Sequence, residues 1–184
     1  MLNFSVKLLI GVVLTASTLF AADNSLGTWK RNIAQSKSST PGSNPDAVKS
    51  WTMVREASGN GVKVTNTVVR QDGTEYNWGY TVQYDGKEYP VTGNSASFDT
   101  IAFRQIDANT FATVFSKKGG KYRTTGRVVI SKDGKTYTHT ATGTNSDGKS
   151  LTQTLVYDRS HRKWHYSKKD LHRKTKPFQV SPGY

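Results

Sequence analysis

The chain contains no cysteine. That excludes a disulfide scaffold and any thiolate metal site, so packing and hydrogen bonding alone must hold the fold. Leucine is scarce as well. After residue 20 only Leu26, Leu151, Leu155 and Leu171 occur, too few for a compact helical core. Hydrophobic residues make up 34% of the 184, yet aromatics reach 11%. That balance, with many Thr, Tyr and Gly, fits strands that each show one polar face. Acidic residues are few, 13 Asp+Glu against 26 Lys+Arg. Catalytic signatures are absent too: there is no Gly-x-Ser-x-Gly elbow, no phosphate loop and no paired-carboxylate motif. The only long apolar run, Leu8 to Phe20, has thirteen residues. A membrane span needs ~20.

That run follows Lys7 and ends in Ala21-Ala22. A positive charge, an apolar stretch and small residues in that order predict a signal peptide over residues 1–21. Leu19 fits poorly three places before a cut after Ala21, and an uncleaved N-terminal anchor is the competing reading. No cysteine follows the cut, so a lipid anchor is excluded. The expected location is the periplasm or outside the cell.

What the chain does have is turns. Asn60-Gly61, Asp72-Gly73, Asp85-Gly86, Gly119-Gly120, Asp133-Gly134 and Asp147-Gly148 punctuate its middle. Glycine supplies positive φ without a clashing Cβ, and Asn or Asp tolerates it. Between the turns polarity alternates with period two. The clearest case is 74–84, where Tyr76, Trp78, Tyr80, Val82 and Tyr84 share one side. Residues 35–48 are rich in Ser, Pro, Gly and Asn and read as a long loop. Pro90 argues for an edge or a strand end. The predicted strands are 27–30, 49–57, 62–70, 74–84, 87–92, 100–106, 110–116, 121–131, 135–144 and 150–159. Short links make neighbours in sequence neighbours in space. The prediction is an all-β, antiparallel, up-and-down (meander) barrel of about ten strands over residues 22–159, followed by a basic tail, 160–184.

Gly27-Thr28-Trp29 has the Gly-x-Trp form that opens the first strand in the lipocalin and wider calycin superfamily. With ten meandering strands behind it, the region 25–159 resembles a calycin barrel. It is also similar to small secreted bacterial lipocalin-like proteins, which share the segments found here at 27–30, 84–93 and 131–136. The resemblance implies a lipocalin-like barrel, with Gly27 and Trp29 closing one end and a small ligand carried inside. It does not account for the tail.

A barrel of this size holds packed side chains or one small ligand. Tyr76, Trp78, Tyr80 and Tyr84 are the candidate cavity wall for an apolar or amphipathic ligand, and equally candidates for plain core. Arg104, Arg123 and Arg127 are candidate holders of a ligand carboxylate if they point inward, and solvated residues if they do not. His139 is the only histidine before the tail. Alone on a Thr-rich strand it reads as a satisfied polar residue, so no catalytic residue, cofactor or enzyme activity is expected. A cavity-based isomerase or cyclase is the weaker alternative. The tail carries seven basic residues against one acidic. Its Arg162, Lys163, Trp164, Lys168, Lys169, Arg173, Lys174 and Lys176 fit an anionic surface such as lipid head groups, lipopolysaccharide or acidic polysaccharide. That makes an interaction protein the second functional reading, with a disordered solvated tail as its plain alternative. Nucleic acid is not an expected partner of an exported protein. His161 and His165 have helical ligand spacing but no third ligand, so no metal is expected. Nothing in the sequence sets the oligomeric state.

Overall fold

The computed structural model describes residues 23–39, 47–95 and 97–160. The expected signal segment and the tail, with every anionic-surface residue and both tail histidines named above, lie outside the described residues. The described chain forms β1 (Gly27–Arg31), β2 (Lys37–Ser38), β3 (Val48–Ser58), β4 (Gly61–Arg70), β5 (Glu75–Gln83) and β6 (Asp85–Gly93). After these come β7 (Thr100–Asp107), β8 (Thr110–Ser116), β9 (Arg123–Ile130), β10 (Thr136–Thr144) and β11 (Ser150–Arg159). No α-helix occurs among the described residues.

From β3 to β11 each strand pairs antiparallel with the next, and β1 pairs with both β3 and β11. The ring is therefore closed: a ten-strand meander barrel, in which β2 is a two-residue extension. Closure removes the free edges that a sheet of this length would otherwise offer to other chains. β1 and β2 share one edge of β11, through Arg31↔Tyr157 and then Lys37↔Thr154. Between them the chain bulges. Ser36 fills the interruption, its Oγ donating to Asn32 O at 2.7 Å and accepting from Val156 N at 3.0 Å.

The turns work as expected with two corrections. Positive φ falls on Gly73, Gly86, Gly119, Gly134 and Gly148, and on no non-glycine residue among the described residues. The aspartates therefore do not enter the left-handed region. They cap the turn instead, as Asp72 Oδ1 accepts from Thr74 N at 2.8 Å and Asp85 Oδ1 from Lys87 N at 2.9 Å. These backbone donors hold both carboxyls below their usual range. The first turn sits one residue earlier than predicted. Gly59 takes φ +58° and Gly61 opens β4 opposite Ser58.

Alternation then decides what is inside. Trp51, Met53 and Arg55 on β3, Val62, Val64, Asn66 and Val68 on β4, and Trp78, Tyr80 and Val82 on β5 are all buried. The largest fully enclosed apolar groups, Trp29, Phe103 and Phe111, belong to the closed end of the barrel. There Asp23 to Leu26 cross the opening. Trp29 Nε1 donates to Ser25 O at 2.9 Å, and the Arg159 guanidinium lies 4.2 Å over the Trp29 ring. Arg159 is only half-buried, so this cation–indole contact contributes about 1 kcal/mol. Arg159 also donates to Leu26 O at 2.6 Å and to Gly134 O and Asn24 O, fastening the first described residues to the last strand. Gly27 takes φ +120°, a conformation that side-chain-bearing residues rarely adopt, and a Cβ there would also stand 2.8 Å from Arg159 Nη1.

Candidate functional site: the barrel cavity

The opposite end is where the interior is not filled. Antiparallel order places the β4–β5, β6–β7, β8–β9 and β10–β11 links at that end. Two of these links send an aromatic ring inward: Phe98 from β6–β7 and Tyr122 from β8–β9. The two rings stack with centroids 5.8 Å apart. Phe98 also meets Trp78 edge-on at 5.2 Å and Phe115 at 4.9 Å. Beneath them lies a cavity of about 60 Å³. That is smaller than the roughly 150 Å³ of an engineered cavity known to admit benzene. With Phe98 in place, the space suits a ligand of a few non-hydrogen atoms.

One wall is aromatic: Trp51, Trp78, Tyr80 and Tyr157. Trp51 packs edge-on to both Trp78 and Tyr157, each with centroids 6.0 Å apart. Such tilted contacts present ring edges and hydroxyls rather than a flat slot. The polar residues of the lining are Asn66, His139 and Gln153. Asn66 is 1% exposed, and its Oδ1 accepts from Trp51 Nε1 at 2.8 Å. Its Nδ2 has no partner. A buried amide donor left unmet costs about 1–3 kcal/mol, so a bound water or ligand acceptor there relieves a real penalty.

His139 is enclosed by Thr113, whose Oγ1 lies 3.0 Å from Nε2, and by Phe115, whose ring centroid is 5.3 Å away. Burial pushes the imidazole down to about 4. It is therefore neutral at pH 7. A Cβ on Gly126 would fall 2.9 Å from His139 Nε2 and 2.4 Å from Thr140 O, so glycine here makes the space for the imidazole. Among the described residues no carboxylate lines the cavity.

Between cavity and closed end sits Arg55, 1% exposed. Its Nη2 donates to Ser25 Oγ at 3.1 Å and Tyr84 Oη at 3.4 Å. The Tyr84 hydroxyl, pushed up to about 12 by burial, donates to Asp23 Oδ2 at 2.7 Å. The guanidinium carbon lies 5.6 Å from the Phe103 ring and 5.4 Å from the Tyr137 ring. Arg31 is a second buried cation, 5.4 Å from the Trp51 ring.

The predicted residues divide accordingly. Trp78 and Tyr80 line the cavity. Tyr84 belongs instead to the closed end, with its ring 4.8 Å from Phe111. Tyr76 is half-buried beside the core, with Arg70 5.2 Å over its ring. Arg104, Arg123 and Arg127 are exposed. Of the two directions left open for them the outward one is found, which removes them as holders of a carboxylate inside: Arg104 alternates with buried Phe103, and Arg123 and Arg127 with Thr124 and Val128. Arg123 faces Glu88 at 3.8 Å across the outer surface. Sequence reading missed Arg55, Arg31 and Asn66. Each has a visible signal, a polar residue falling on the apolar phase of its strand.

No family model matches the chain, and no curated protein matches it. Two solved structures are similar to it. One is EF1p2_mFAP2b bound to DFHBI, with TM-score 0.41 and 10% identity over 76% of this chain and 97% of that one. The other is a redesigned β-barrel, mFAP1, bound to DFHBI, with TM-score 0.37 and 11% identity over 74% of this chain and 95% of that one. The fold assigned to this chain rests on its own strand pairings: a closed ten-strand antiparallel meander barrel.

Proposed function

We propose that the protein binds a small molecule non-covalently inside its barrel, at the end covered by Phe98 and Tyr122. The observation that carries this reading is the unmet Asn66 amide donor in a cavity otherwise walled by aromatic rings. Binding would bury the apolar part of the ligand against Trp51 and Trp78 and offer its polar end a donor that the protein leaves unused. Phe98 comes from a link rather than a strand, so its ring is the part of the wall most easily displaced by a larger ligand.

The two indole N–H groups, of Trp51 and Trp78, report on the wall directly. Titration with small apolar and amphipathic molecules is expected to shift both resonances in a saturable way. Met53, 4% exposed and part of the cavity lining, gives the control. Met53→Phe adds volume to the space and is expected to weaken binding at least about tenfold, with a stability change under roughly 3 kcal/mol. Unchanged affinity in a folded Met53→Phe variant would place the ligand elsewhere.

A further inference from the structure

We propose that the cavity selects a small organic anion, its charged end on the amide and hydroxyl donors and its body against the aromatic wall. This rests on the ligand-binding reading above and names the class of ligand.

The first support is the charge inventory of the interior. Arg55 is buried, and no Asp or Glu is buried among the described residues. Arg55 makes no salt bridge among the described residues: the carboxylate that acts on it, half-buried Asp23, is reached through the Tyr84 hydroxyl, toward the closed end. Its Nε and Nη1 have no hydrogen-bond partner. Burial opposes the guanidinium charge, and the surrounding tyrosines with Asp23 favour it, so that on balance the cation is held. A negative charge on the cavity side would sit in the field of that same cation.

The second support is how that charge reaches the cavity. Tyr80 and Tyr137 line the cavity and both lie within the field of Arg55, while Tyr157, also in the lining, lies within that of Arg31. Each cation favours negative charge at the tyrosine beside it. The hydroxyls keep their protons, because burial outweighs the cations and raises all three. A hydroxyl so placed donates well to an anion, and an anion also gains from the field behind it. The third support is the remaining polar lining. Asn66 Nδ2 is a donor without an acceptor, His139 is neutral, and no carboxylate is present to repel the ligand.

The test uses three ligands of one shape and three charges: benzoate, benzamide and benzamidinium, titrated into the full chain at pH 7. The Trp51 and Trp78 indole resonances are followed. Benzoate is expected to bind about tenfold or more tighter than benzamide, and benzamidinium not to saturate. Equal or tighter binding of benzamide would overturn the charge selection and leave the cavity reading standing. Benzoate shifts confined to surface lysine and arginine residues, with both indoles unmoved, would overturn the selection as well. These rings enter only if Phe98 swings aside, so acetate, acetamide and acetamidinium, small enough for the space beneath it, are titrated beside them; if neither set moves the indoles, the ligand-binding reading falls, and this inference with it.

Discussion

His139 shows how one enclosed side chain sets a property of the whole chain. Its imidazole is held down to about 4 by burial, against 6.5 when exposed. Between those values the unfolded chain takes up a proton that the folded chain refuses. Stability from this group is therefore complete above pH 6.5 and is lost as pH falls toward 4, by up to roughly 3 kcal/mol. The turn aspartates act in a separate window. Asp72, Asp85, Asp99, Asp107 and Asp133 all have carboxyls held below 3.8, so their loss follows at lower pH. Urea midpoints at pH 7 and pH 4.5 are expected to differ markedly for the parent and much less for His139→Gln. Equal pH dependence in the two would show that the imidazole titrates freely. The residue scale is also where sequence reading was weakest. Strand phase is unambiguous at 74–84, where Trp78 and Tyr80 were correctly placed on one face. It is ambiguous at Val128-Val129-Ile130, where apolar residues run together and Val129 is 43% exposed. That run hid the outward direction of Arg127. Arg55 was legible in principle, two and four places from Met53 and Trp51, but a charge on an apolar phase is easily passed over as a strand end.

At the scale of the element, the ladder is uneven. β3–β4 pair at ten positions and β10–β11 at nine, whereas β5–β6 pair only at Trp78↔Gly93, Gly79↔Thr92 and Tyr80↔Val91. Past Val91 the next residue toward the turn is Pro90, which has no N–H to give. The edge expected from Pro90 is therefore a local one: β6 still pairs with β7 through Pro90↔Thr100, and its β5 side opens. A groove of about 420 Å³ crosses this seam on the outside, from Lys63 and Thr65 over Gly79 to Thr92. Local opening is drawn from the least bonded parts of a fold. Exchange of the amides at 81–83 and 87–89 that point into the seam, rather than toward β4 or β7, is expected to be at least about tenfold faster than at 138–142 of β10. Uniform protection around the ring would contradict an open seam. Strand count and most boundaries were legible because glycine turns and period-two alternation are local signals. The seam was not, because it depends on which side of a proline each neighbour lies.

At the scale of the whole molecule, the barrel is asymmetric along its axis. One end is solid, fastened by Trp29, Arg159 and the Asp23–Tyr84–Arg55 chain. The other is covered by two rings over an incompletely filled interior. Periodicity and turns predicted closure, and with it an interior; a closed end at Trp29 came only from the resemblance carried by Gly27-Thr28-Trp29, because the pairing that fixes it, Trp29↔Arg159, is long-range. The central claim is that this interior holds a ligand. Native mass spectrometry of protein purified gently from its producing host, followed by solvent extraction, tests it most directly. The predicted result is a stoichiometric small molecule, lost on Met53→Phe substitution, whose extract contains an organic anion. A clean apo mass, together with no displacement of small aromatic probes, would contradict the account and leave the barrel as a filled scaffold.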